Sequence, residues 1–160
     1  MNNNEYKDEY IKQFNKIKNS DDLHYIVITP ITNLKSYNQL KFIIRKSIGD
    51  YCKKQNINKS HEYIKYLCNI EVDPSISKIN QSKISGMGYH AHLIIDKNIN
   101  LFNSVIIEEF RTQIIETFMK NKIKIDLYDS ADIYDENGLM KYHLKQSNIL
   151  DKTFIRSNLK

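Results

Sequence analysis

Two histidines separated by a single residue are the most chemically distinctive feature of the sequence. They are His90 and His92 in the segment GYHAHLIID, whose apolar character is typical of a strand. Successive side chains of a strand point to opposite faces, so the two imidazoles share one face. The other face then carries apolar residues, namely Tyr89, Ala91, Leu93 and Ile95. Two imidazoles one strand repeat apart can bind one metal ion, and two polar residues on a wet sheet face would give the same pattern.

A carboxylate on the preceding predicted strand is the first candidate to complete a metal site. The segment EYIKYLCNIEVDP alternates between two faces, with Glu71 and Asp73 on the face opposite Ile70. If this strand pairs with the histidine strand through the polar connection 74–87, Glu71 can approach both imidazoles, and Asp73 is a reserve ligand. Two histidines and one carboxylate with open coordination positions suit Mn²⁺ or Mg²⁺, and would also accept Zn²⁺, Co²⁺ or Ni²⁺.

A tyrosine and a lysine further along the chain supply a third chemical group. The segment ENGLMKYHLKQ predicts a short helix over 136–146, in which Tyr142, Lys145 and Gln146 lie at i, i+3 and i+4 and so share a face. A tyrosine hydroxyl can attack a phosphodiester and form a covalent phosphotyrosine. Such an attack needs a metal ion or another cation to neutralise the charge that develops on the phosphate oxygens. Lys145 can supply part of that charge or hold the phosphate in place.

The hydrophobic pattern predicts the elements that must position these groups. Compact apolar runs predict strands at LHYIVITP (23–30) and KIKIDLYD (122–129). Apolar stripes at helical spacing predict helices over 36–55 and 100–121. The first stripe is Leu40, Ile43, Ile44, Ile48 and Tyr51, and the second is Phe102, Val105, Ile106, Phe110, Ile114, Ile115 and Phe118. With the two strands described above, the order is β-α-β-β-α-β. This order predicts an α+β fold in which helices cover one face of an antiparallel sheet of about five strands, a split βαβ arrangement that is RRM-like.

Length and charge set the broad organisation. The chain has 160 residues, which is enough for one domain with a hydrophobic core. We expect a polar, helical extension over 1–22, one domain over 23–147 and a polar tail over 148–160. The net charge of +5 and the sequence pI near 9.0 permit a nucleic-acid partner without requiring one.

Cysteine use and hydropathy indicate a cytoplasmic protein. Cys52 and Cys68 form no CxxC or zinc-type cluster, so we expect two reduced thiols in the core. The region after Met1 is polar and lacks the apolar segment of a signal peptide. No apolar run approaches the ~20 residues that span a bilayer, and we therefore expect no membrane contact.

The ordered set of motifs resembles the HUH single-strand endonucleases, and among them the rolling-circle replication initiators, or Rep proteins. The family motif is His, a hydrophobic residue and His within a strand, which YHAHLII matches. The family also carries a Tyr-x-x-Lys helix downstream, which YHLK matches with its tyrosine 50 residues after His92. HYIVITP resembles the family's first motif, a hydrophobic strand that ends in Thr. The resemblance runs over about 23–146, which is most of the chain.

The resemblance implies a one-tyrosine enzyme that nicks single-stranded DNA at a replication origin, near a hairpin. Tyr142 would attack the scissile phosphate, become linked to the 5′ phosphate and release a 3′ hydroxyl, with Lys145 assisting. His90, His92 and Glu71 would hold Mn²⁺ or Mg²⁺, which polarises the phosphate. The covalent linkage conserves bond energy, so a later transfer can rejoin strands without ATP. A host helicase and polymerase would be the partners, and the replicon would be that of a plasmid, virus or mobile element.

Three alternatives stay open on the sequence. Gln146 also fits the small single-tyrosine HUH transposases, which place a Gln four residues after the tyrosine as a metal ligand. We favour the initiator because Lys145 is present and the N-terminal half resembles the initiators. A noncatalytic RRM-like nucleic-acid-binding domain would keep the histidines only structurally, but the RRM aromatic signatures are not evident. A metal-dependent hydrolase that uses water would fit the histidines and Glu71 but would leave YHLK unexplained.

Overall fold

The computed structural model describes residues 22–57, 64–72, 88–100 and 103–130, the backbone of 155–156, and six single positions between 5 and 15. The strands with described bounds are β1 (Leu23–Pro30), β2 (Tyr66–Val72), β3 (Tyr89–Asp96), β4 (Asn98–Asn100), β5 (Asn103–Ser104), β6 (Ile125–Ser130) and β7 (Ile155–Arg156). The helices with described bounds are α1 (Tyr37–Lys54) and α2 (Ile107–Lys120).

The main sheet has five strands in the order β6-β1-β3-β2-β7, and each neighbouring pair is antiparallel. A small two-stranded sheet, β4-β5, lies between β3 and α2 in the chain. The four longer strands and the two helices follow the order β1-α1-β2-β3-α2-β6, in which β3 separates the mutually parallel β1 and β2. This is the split β-α-β arrangement, so the predicted α+β fold class is confirmed.

One face of the sheet packs against both helices and forms the hydrophobic core. β1 has the predicted bounds, and β2 and β3 show the predicted alternation of faces. The core members from the strands include Ile26, Ile28, Cys68, Ile70, Tyr89, Ala91, Leu93 and Ile95. Because every second residue of three neighbouring strands is buried here, the register of the whole sheet is strongly specified.

The helix predicted over 36–55 is confirmed as α1. The Ser36 hydroxyl accepts a hydrogen bond from the Gln39 N–H (3.0 Å), and Gln39 Oε1 accepts one from the Lys35 N–H (2.7 Å). This reciprocal pattern is similar to a capping box and explains where the helix begins. The chain leaves the helix through Asn56, whose φ of 54° is left-handed. The buried stripe is the predicted one, Leu40, Ile43, Ile44, Ile48 and Tyr51.

The start of the helix predicted over 100–121 is wrong, since α2 begins only at Ile107. Before it, the chain forms the β4-β5 hairpin, which the Val105 N–H closes by donating to the Lys97 carbonyl (2.7 Å). Asparagines are frequent in this hairpin, and their side chains favour turns over helix interiors. In the predicted apolar stripe, the buried helical members are Phe110, Ile114 and Phe118, whereas Ile106 and Ile115 are exposed.

The strand predicted over 122–129 begins three residues later, as β6 at Ile125. The intervening residues end α2 instead. The Ile123 N–H donates to the Phe118 carbonyl (3.0 Å), and Lys122 takes a left-handed φ of 61°. This is a common way to satisfy the last carbonyls of a helix.

Three predicted segments lie outside the described residues: the helix of 1–22 apart from single positions, the connection 74–87, and the helix over 136–146. The predicted boundaries of the domain at 23 and 147 stay predictions. The segment 148–160 contains β7, which pairs with β2. A two-residue strand has no periodic pattern from which it could be predicted.

Both cysteines carry free thiols. Cys68 is buried in β2, and its burial raises the pKa of the thiol; Cys52 is half-buried in α1. In the described part of the chain, no helix is both long and apolar enough to cross a bilayer.

A cluster of charged groups joins α2 to the sheet beside β6. Oδ2 of Asp129 lies 3.0 Å from Nε2 of His24, and Oδ1 lies 3.1 Å from Nη1 of Arg111. His24 is buried on the helix-covered face. One carboxylate thus serves two donors that belong to different elements, and its removal would leave both without that partner.

Asp129→Asn should lower the free energy of unfolding by about 1–3 kcal/mol, because the neutral amide cannot serve both donors. Urea denaturation followed by circular dichroism measures this change. Asp126→Asn is the matched control, since Asp126 lies on the same strand with an exposed side chain, and it should change stability by less than about 0.5 kcal/mol. Equal stability of the two variants would show that Asp129 does not stabilise the contact between α2 and the sheet.

Candidate metal and catalytic site

β3 is the middle strand of the sheet, and it presents both histidines on the face opposite α1 and α2. We call this the histidine face. In the register of β2 against β3, Glu71 lies directly opposite His90, and Asn69 lies directly opposite His92. The structure therefore brings His90, His92 and Glu71 together on one face, as the alternation of the two strands predicts.

Glu71 and His92 are in direct contact. Oε1 of Glu71 lies 2.5 Å from Nε2 of His92, and the two residues are only 6% and 5% exposed. A solvent-exposed sheet face therefore does not account for His92, because the residue is buried in contact with a carboxylate. His90 is more open, with a half-buried ring. Among the described residues, none lies within hydrogen-bond distance of its Nε2 atom.

Two hydroxyls of β1 contact the other nitrogen of each imidazole. Oη of Tyr25 lies 2.6 Å from Nδ1 of His92, and the two rings are stacked with an interplanar angle of 7°. Oγ1 of Thr29 lies 3.1 Å from Nδ1 of His90. Both histidines thus use Nδ1 toward β1, and His92 directs Nε2 toward Glu71 on β2.

The second oxygen of Glu71 makes the site suitable for a cation. Oε2 is buried and has no hydrogen-bond partner among the described residues, which costs free energy unless a cation or a donor is supplied. Imidazole nitrogen and carboxylate oxygen are ligands that divalent metals accept. No three His, Cys, Asp or Glu side chains of the described residues already surround one point. Metal binding would first separate Glu71 from Nε2 of His92.

The predicted nucleophile, Tyr142, lies outside the described residues. So do Lys145 and Gln146, which follow it in the predicted helix, and Asp73, the reserve metal ligand. The described strands do fix where the chain enters and leaves the segment with the nucleophile. β6 ends at Ser130 on one edge of the sheet, and β7 begins at Ile155 on the opposite edge. The 24 residues of 131–154 therefore connect opposite edges.

Tyr25 and Thr29 are site residues that the sequence analysis did not identify. A signal was present, because both residues share the face of LHYIVITP opposite Ile26. Their partners, His92 and His90, are 67 and 61 residues away in the sequence. Such pairs depend on the order and register of the strands, which no local pattern encodes.

Comparison of the chain with profiles of protein families, with curated proteins and with solved structures found no significant match. A functional proposal therefore rests on the motifs of the sequence and on the geometry of the histidine face.

Mn²⁺ should raise the melting temperature of the protein after treatment with EDTA. An ion that binds only the folded state stabilises it by about 2.7 kcal/mol at 100 times its dissociation constant. Glu71→Gln keeps an acceptor for His92 but loses the charge, so this variant should lose most of the stabilisation, as should His90→Ala. Thermal melts with and without Mn²⁺ give the measurement.

His24→Gln is the matched control, because it replaces a histidine on the opposite face of the sheet. It is expected to lower the melting temperature of the metal-free protein and to keep the response to Mn²⁺. If Glu71→Gln responds to Mn²⁺ as strongly as the wild type, Glu71 is not a ligand. If the wild type does not respond, the histidine pair has a structural role only.

Proposed function

We propose that this protein is a metal-dependent DNA endonuclease of the one-tyrosine HUH type, which nicks single-stranded origin DNA and initiates rolling-circle replication. One observation carries the proposal: two imidazoles and a carboxylate share the middle of the histidine face, where Glu71 lies opposite His90 in the strand register and contacts His92. The resemblance to HUH endonucleases implies the same three residues as metal ligands and adds Tyr142 as the nucleophile.

His90, His92 and Glu71 would hold the ion, for which Mn²⁺ and Mg²⁺ are the candidates. The bound ion supplies positive charge beside the oxygens of the scissile phosphate. Glu71 and His92 would give up the proton between them when they bind it. Their burial keeps water from screening this charge, which strengthens its effect on the phosphate.

Tyr142 would perform the covalent step. Its phenol oxygen forms a bond to the scissile phosphorus, and the bond from phosphorus to the 3′ oxygen breaks. The phenol proton passes to water, and the leaving 3′ oxygen takes up a proton to become a hydroxyl. One phosphate ester replaces another, so a later 3′ hydroxyl can attack the phosphotyrosine and rejoin the strands. Lys145 would neutralise charge on the phosphate oxygens during both steps.

The order of the strands is compatible with this role for Tyr142. Five strands at a spacing of ~4.8 Å place the two edges of the sheet about 19 Å apart, and residues 131–154 join those edges. Tyr142 lies 12 residues after Ser130 and 13 before Ile155, in the middle of the connection.

The substrate and setting follow from the same proposal. The net charge of +5 favours binding to the phosphate backbone of DNA. The substrate would be single-stranded DNA at a replication origin, near a hairpin. The released 3′ hydroxyl is a primer, which a host polymerase would extend while a host helicase separates the strands, and this places the protein in the cytoplasm.

A covalent-adduct assay tests the proposal. The protein is incubated with Mn²⁺ and a pool of labelled single-stranded oligonucleotides from its own replicon, and the products are separated on a denaturing gel. We expect a shifted protein–DNA band that needs metal and is absent in Tyr142→Phe and His92→Ala. Lys145→Ala should slow its formation on the order of 10²-fold, as loss of a charge-stabilising group does.

Tyr128→Phe is the matched control for Tyr142→Phe, because Tyr128 is an exposed tyrosine on β6. The Tyr128→Phe variant should still form the protein–DNA adduct. An adduct that survives in Tyr142→Phe would contradict the assignment of the nucleophile. Metal-dependent cleavage without an adduct would indicate a hydrolase that uses water. Binding of single-stranded DNA that EDTA does not weaken, with no cleavage, would indicate a noncatalytic binding domain. A stable dimer by solution mass would favour the transposase.

A further inference from the structure

We infer that Tyr25 and Thr29 are positioning residues of the metal site, whose hydroxyls fix the two histidine rings so that the Nε2 atoms are the ones offered to the ion. The inference rests on the metal-binding part of the proposed function. It starts from a shared feature of the two contacts: in each, a hydroxyl of β1 lies within hydrogen-bond distance of Nδ1 and not of Nε2.

The register of β1 against β3 explains why one of these residues is a tyrosine and the other a threonine. The direct partner of His92 on β1 is Val27, so Tyr25 lies diagonally from His92. Diagonal neighbours are about 7–8 Å apart, which an aromatic side chain can span. Ile28 pairs with Ala91 on β3, so the next position in the same register places Thr29 directly opposite His90. A short side chain is sufficient there.

A hydroxyl suits this role because it can either donate or accept a hydrogen bond. When Nε2 of His92 donates to a Glu71 oxygen, Nδ1 can accept from the Tyr25 hydroxyl. A nitrogen that binds a metal carries no proton, so with an ion on Nε2 the proton is on Nδ1 and Tyr25 accepts it. The same contact can therefore hold the ring in both states.

The same argument applies to His90 through Thr29, with one difference. His90 is half-buried, and Glu71 lies opposite it in the register without a hydrogen bond between them. Among the described residues, Thr29 is thus the group that restrains the His90 ring by a hydrogen bond. Loss of its hydroxyl should therefore matter for metal binding although the residue touches neither the metal nor the substrate.

The test removes each hydroxyl with the smallest change of shape. Tyr25→Phe keeps the stacked ring, Thr29→Val keeps the branched shape, and Thr29→Ser keeps the hydroxyl as a conservative rescue. Tyr128→Phe is the matched control. Isothermal titration calorimetry measures the affinity for Mn²⁺, and nitrogen-15 NMR of the histidine rings with and without Zn²⁺ reports which nitrogen binds the metal.

We expect Tyr25→Phe and Thr29→Val each to weaken Mn²⁺ binding on the order of 10–100-fold, as loss of such partners of metal-bound histidines does. Thr29→Ser and Tyr128→Phe should bind nearly as the wild type does, and the wild-type spectra should show Zn²⁺ on Nε2 of both rings.

Wild-type affinity in Tyr25→Phe and Thr29→Val would overturn the positioning role alone. Zn²⁺ on Nδ1 would also overturn it. Absence of Mn²⁺ binding in the wild type would overturn both this role and the metal-binding part of the proposed function.

Discussion

The pairing of β3 with β1 on one side and with β2 on the other is the constraint on which both the fold and the site depend. Ala91, Leu93 and Ile95 must face the helices for the core to form, and this alone turns His90 and His92 to the other face. A slip of one residue would exchange the two sets, because the side-chain period of a strand is two. Burial of the core thus fixes the placement of His90 and His92 before any contact between their side chains and other residues is considered.

The row of polar groups formed by Tyr25, His92 and Glu71 is a poor choice if stability is its only purpose. A buried histidine and carboxylate lose their hydration, and replacement of such pairs by apolar residues of similar size is often neutral or stabilising. The row also ends in an oxygen of Glu71 that is buried and unpartnered among the described residues. A buried oxygen without a hydrogen-bond partner lowers stability, so packing alone does not account for this arrangement.

The sequence predicts those parts of the molecule in which a local period coincides with burial. β1, β2 and β3 alternate clearly, and the α1 stripe recurs at helical spacing. β1, β3 and α1 therefore agree with the prediction to within one residue at each end, and β2 lies inside the predicted segment 62–74. The start of α2 was wrong because apolar residues before Ile107 extend the helical pattern into a hairpin that backbone hydrogen bonds and asparagines determine. Glu71 could be placed beside the histidines because hairpin-connected strands usually pair. Tyr25 could not, because its contact needs the order of the strands, which follows from the packing of the whole sheet.

The fold by itself does not separate an enzyme from a binding module, since split βαβ domains host many functions. The groups at the centre of the histidine face bear more directly on the choice between an enzyme and a binding module. A platform for stacking bases needs exposed aromatic rings, but here the central places carry a buried imidazole and carboxylate in contact, and Tyr25 is turned onto His92 by its hydrogen bond and ring contact. Buried polar atoms that strands hold on both sides have fixed positions, and their burial leaves no exposed ring surface on which a base could stack. The exposed aromatic ring of Tyr128 is on the edge strand β6 and not at this centre.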